Sequence, residues 1–90
     1  MFVAIYFNSK LTVPRDEIED LLEQWFAGQG EVTGSGGGLG GTNIDIEADD
    51  ELGVEEVLSR IRDVLKRINA APNTEIMVED QTYPLYEQGE

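Results

Sequence analysis

Cysteine and histidine are both absent from the 90 residues. Without cysteine there is no disulfide framework, no thiolate nucleophile and no thiolate zinc site. Without histidine the commonest general base and the commonest metal ligand are gone. Long apolar runs are missing as well. The first, FVAIYF, falls far short of the roughly 20 residues that cross a bilayer. No basic flank precedes it and no small-residue cleavage site follows, so it is expected to be a first strand and the chain cytoplasmic. Basic residues are scarce too: six Lys and Arg stand against nineteen Asp and Glu, a net charge of −13.

That charge is unevenly laid. Residues 31–58 hold eight acids and no base. Residues 59–70 hold Arg60, Arg62, Lys66 and Arg67 against Asp63 alone, and the last twenty residues hold five acids and no base. Such a field repels nucleic acid and anionic membrane surfaces and attracts cationic proteins. The partner expected is therefore a basic protein, with no nucleic acid and no membrane.

Hydrophobic period gives the elements. Phe2 to Phe7 is β-rich and continuous, as a central strand is. From Pro14 to Ala27 the apolar residues Ile18, Leu21, Leu22, Trp25 and Phe26 form one helical stripe, with Asp16 and Glu17 in the first turn and Gly28 as the stop. GEVTG reads as a short strand. NIDIEA then alternates, Ile44, Ile46 and Ala48 on one face and Asn43, Asp45 and Glu47 on the other. A second helix is expected from Gly53 to Asn69, on a stripe running from Val54 to Ile68, with Asp50 as a cap. Within it Glu56–Arg60 and Asp63–Arg67 are i,i+4 pairs. TEIMVED is the last strand, Ile76 and Val78 inward.

The order β-α-β-β-α-β predicts an α+β, ferredoxin-like fold: a four-stranded antiparallel sheet with two helices on one face. One domain is expected over residues 1–82 and an acidic tail over 83–90. This architecture hosts unrelated activities, so function has to be read from its surfaces.

Two stretches invite a ligand. GSGGGLGG, residues 34–41, contains G-x-G-x-x-G, but dinucleotide glycines open a helix and these open a strand. No G-K-[ST] ending follows either. The run is expected to be an open hairpin connector, with Leu39 at its tip as a contact point. Asp45, Glu47, Asp49 and Glu56 fall at positions 1, 3, 5 and 12 of a calcium loop. Asp50 occupies the glycine position, and a strand spreads the first two by about 6–7 Å, so no metal and no cofactor are assigned. No catalytic residues are assigned, because paired carboxylates need a cleft that separates their pKa values.

Two helices on one face leave the other open. Val3, Ile5 and Phe7 are uniformly apolar and suit the core, which puts Phe2 and Tyr6 outside. Asn43, Asp45 and Glu47 join them from the third strand, and Glu75, Met77 and Glu79 from the last. Rings beside carboxylates suit Arg and Lys of a cationic protein surface. The expectation is a small non-enzymatic module that binds a basic protein, in one version an immunity-type inhibitor of a cationic toxin such as a nuclease. Homodimerisation by a strand edge or through Tyr83 and Tyr86 is compatible with it. The alternative is a dimeric ligand-binding or cofactor-free enzyme domain with a pocket between helices and sheet, lined by Tyr6, Trp25 or Tyr83.

Overall fold

The computed structural model describes residues 1–38 and 41–85. In chain order they form β1 (Phe2–Phe7), α1 (Arg15–Phe26), β2 (Gly30–Gly38), β3 (Gly41–Ala48), α2 (Val54–Arg67), β4 (Glu75–Val78) and β5 (Gln81–Pro84). All strands join one antiparallel sheet in the order β2-β3-β1-β4-β5. The architecture is α+β, with five strands where four were expected. The added one, β5, folds back on β4 across a turn at Glu79 and Asp80, with Gln81 opposite Val78.

Residues 83–85, given above to the tail, therefore belong to the body. Tyr83 and Pro84 lie in β5 and Leu85 is fully buried. Pro84 is what disguises the strand: proline argues against a central strand, but an edge strand tolerates it.

One hydrophobic cluster fills the space between sheet and helices. It takes Val3, Ile5 and Phe7 from β1, Ile44 and Ile46 from β3, and Ile76 and Val78 from β4. Against these pack Ile18, Leu22 and Phe26 of α1 and Val57, Ile61, Val64 and Leu65 of α2. Each such side chain contributes about 1.5–3 kcal/mol as an upper figure, so this cluster is the main source of stability.

Helix ends show how the elements are tied. At the end of α1 Ala27 takes the left-handed conformation, and Arg60 of α2 donates to the carbonyls of Trp25 (3.5 Å) and Phe26 (3.3 Å). Those carbonyls have no partner within the helix. Arg60 also donates to Glu56 at 2.9 Å, the i,i+4 pair expected. The other expected pair is replaced: Asp63 accepts the indole N–H of Trp25 at 2.8 Å, and the Arg67 guanidinium lies 4.6 Å from the centre of that ring. Trp25, on the apolar stripe of α1, packs half-buried against the core and forms a strut between the helices. At the end of α2 Asn69 (φ 55°) sits in the left-handed region, with bonds from Ala70 N–H to Leu65 O and from Asn69 N–H to Lys66 O. That pair of bonds is a Schellman cap.

The glycine run corrects the reading of a long open connector. Gly34 to Gly38 extend β2 and pair with β3 from Gly34 opposite Asp45 to Gly38 opposite Gly41. A ladder bonds through backbone N–H and C=O, which glycine keeps in full, so a strong strand at β3 can template a glycine-rich neighbour. Leu39 lies outside the described residues.

One glycine is obligatory. Gly41 has φ 138°, and a Cβ built there would stand 2.1 Å from the carbonyl oxygen of Phe7. Gly28 has φ 88° but open space around it. Gly41→Ala is expected to destabilise the protein by about 2–4 kcal/mol and Gly28→Ala by about 1–2 kcal/mol. Urea denaturation of the two variants measures the ordering, and equal losses would refute the close approach at Phe7.

Candidate functional site

Strand register decides which side chains meet on the face away from the helices. Phe2 stands opposite Glu47, which stands opposite Glu31. Ala4 lies between Asp45 and Met77, with Gly34 beyond Asp45 and Thr82 beyond Met77. Tyr6 lies between Asn43 and Glu75, with Gly36 and Pro84 beyond. Directly opposed residues share a face, so these three rows are one surface.

Phe2 and Tyr6 are the large apolar side chains left exposed among the described residues, at 38% and 39%. Four positions apart on one strand, they stand about 13 Å from each other. Ala4 between them is fully buried and Met77 beside it half-buried. The middle of the face is therefore shallow and closely packed, with a ring at each end.

The polar groups around the rings are already oriented. Asn43 Nδ2 donates to Asp45 Oδ1 at 3.1 Å. Asn8 Nδ2 donates to Glu75 Oε1 at 3.4 Å and to the Asn73 carbonyl at 2.8 Å. Glu79 turns the chain at φ 56°, and its N–H donates to the Phe2 carbonyl at 2.8 Å. Beside Tyr6 an open hollow is lined by Asn8, Thr42 and Asn43 among others. The structure thus brings Phe2, Tyr6, Asn43, Asp45, Glu47, Glu75 and Met77 onto one face, with Glu79 at its margin.

Sequence reasoning missed the chain's own amino group. The Met1 ammonium donates to Asp50 Oδ1 (2.6 Å), Glu47 Oε2 (2.7 Å) and the Ala48 carbonyl (2.8 Å). Asp50, expected as a cap, lies three residues ahead of the cap position Gly53 and bonds the ammonium instead, and α2 begins at Val54 without a side-chain cap. The same contact offsets the repulsion between Glu31 and Glu47, like charges directly opposed across a strand pair. Nothing in the side-chain pattern announces it.

Of the aromatics named as alternatives for lining a pocket, Tyr6 is on the sheet face away from the helices and Trp25 packs against the core on the other side. Among the described residues no group of three or more acids is close enough together to hold a metal ion, and no helix is long and apolar enough to cross a membrane. A scan against protein-family models finds no match, and searches of the curated proteins and of the solved structures find none either.

Hydrogen bonds to Asp50 and then Glu47 push the amino group from its ordinary 8.0 up to about 10. A raised folded-state value means that the contact stabilises fully below pH 8 and is lost as pH rises through 10. The free-amine chain is expected to exceed its N-acetylated form in stability at pH 7 and to converge on it above pH 10. Denaturant midpoints of both forms across that range check this, and a gap that persists at pH 11 would exclude the ammonium as its source.

Proposed function

We propose that the chain is a ferredoxin-like βαββαβ core with an appended edge strand, acting as a non-enzymatic module that binds a basic protein through its open sheet face. The observation that carries this reading is the pairing of each exposed ring with a carboxylate. Phe2 lies opposite Glu47 and Tyr6 opposite Glu75. A guanidinium can stack on a ring while it bonds the neighbouring carboxylate, and the two contacts reinforce each other. Net charge −13 supports the choice of a cationic partner, since it speeds encounter with a basic surface and opposes contact with another copy of the same face.

Within this reading an immunity-type inhibitor of a cationic nuclease is the concrete version. Asp45, Glu47 and Glu75 would occupy positions that substrate phosphates take on the enzyme, and the rings would cover the positions of bases. Inhibition would then compete with nucleic acid.

A panel of basic proteins that includes nucleases, tested at about 50 and 500 mM salt, provides the measurement. At least one is expected to bind and to weaken steeply with salt. Phe2→Ala and Tyr6→Ala are each expected to cost about 1–2 kcal/mol of binding, with Glu31→Gln on the rim lowering mainly the association rate. Binding that ignores both salt and the two rings would sink the reading.

A further inference from the structure

The two edges of the sheet are finished differently. β5 is four residues long and ends in Pro84, two devices by which natural edges avoid pairing with other chains. β2 is nine residues long, has no proline and no lysine, and carries Glu31 as its sole charge. A bulge interrupts its register between Val32 and Gly34, but from Gly34 onward pairing with β3 is regular. Over that segment β2 is bonded on one side, so alternate N–H and C=O groups of its backbone point outward with no strand beyond them.

What lies just behind this edge indicates the chemistry it would take. Asp45 Oδ2 stands 3.8 Å from where a Cβ of residue 34 would be, and Asn43 Oδ1 stands 3.1 Å from where a Cβ of residue 36 would be. Asp45 Oδ1 is already engaged by Asn43. Both outer oxygens thus lean over β2 into space that side chains would fill on any other strand. An added strand would lie about 9.6 Å from β3, two strand spacings away. A lysine or arginine on it could cross the bare backbone at Gly34 and Gly36 and reach these acceptors, whereas a carboxylate there would be repelled.

We propose that the Gly34–Gly37 edge of β2 receives an extended, Lys- or Arg-bearing segment of the basic partner by strand addition. Backbone bonds give the affinity, and a cation lying over Gly34 and Gly36 to meet Asp45 and Asn43 gives the selectivity. A second copy of this chain fits worse, because its own β2 offers Glu31 and no base. The inference rests on the reading of a basic partner and adds to it a place and a mode of contact.

The test uses the full chain and a short synthetic peptide of alternating arginine and valine. Two further versions carry N-methyl groups on either the odd or the even amides. Strand addition predicts that one methylation pattern weakens binding by about tenfold or more while the other has little effect, because alternate amides face the edge. It also predicts that peptide slows amide exchange within Gly34–Gly37. Gly34→Val should reduce peptide affinity severalfold while leaving the urea midpoint unchanged or higher, since valine suits a strand and its Cβ would meet only Asp45 Oδ2 at 3.8 Å.

Equal effects of the two methylation patterns, with shifts confined to Phe2, Tyr6 and Glu75, would overturn the edge site and leave the open-face reading standing. No binding of the unmethylated peptide or of any basic protein at low salt would overturn both. A chain that is dimeric by sedimentation without peptide, with residues 34–37 already protected, would assign the edge to a second copy and overturn the proposed occupant.

Discussion

A helix pair takes up about 20 Å of width, and five strands at about 4.8 Å spacing take up slightly more. Two helices therefore cover one face of this sheet, and the strand residues that join the core are those on that side. In β1 the inward set Val3, Ile5 and Phe7 is buried to 3% exposure or less, while Phe2 and Tyr6 point away. In β3 the same division puts Ile44 and Ile46 inward and Asn43, Asp45 and Glu47 outward. A slip of one residue in β3 would bury Asp45 and Glu47 and expose Ile44 and Ile46. The register of β1 with β3 is accordingly held by the whole core, and it is this register that sets rings beside carboxylates.

The acidic surplus is shaped by where the bases are engaged. Arg60 closes the end of α1 and pairs with Glu56, Arg67 lies on Trp25, Arg62 donates to the Pro84 carbonyl at 2.9 Å, and Arg15 faces Glu19 at 3.8 Å. These contacts lie in or along the helical layer. On the open face the amino group of Met1 is the cation that bonds to a carboxylate among the described residues, at one corner. Helices stitched together by arginine and a sheet face left anionic are two outcomes of one distribution of charge along the chain.

Period and capping chemistry made the six core elements and the inward face legible, because burial imposes spacing that a sequence cannot hide. The fifth strand was hidden by its shortness and by Pro84, features that suit an edge and resemble a loop. The glycine run misled for a related reason: side chains carry most strand signals, yet pairing is done by backbone, and a templated glycine strand has no side chains to show. Asp50 was misassigned because the cap position falls at Gly53, and the donor it meets is a terminus that belongs to no motif. Of the site, the facing of Phe2, Tyr6, Asp45 and Glu47 could be read from alternation. The lean of Asp45 and Asn43 over the glycines could not, since it depends on which residues the bulge at Thr33 sets opposite them.

The position of β1 in the middle of the sheet has a kinetic side. β1 pairs with Ile46 on one flank and Val78 on the other at a single residue, Val3, so it waits for both of these later strands to be synthesised. The pairings of β1 with β3 and β4 then close late, between distant parts of the chain, which makes for slow assembly and a nascent state with apolar β segments uncovered. Mutual repulsion among densely acidic chains would keep such intermediates apart on a crowded polysome.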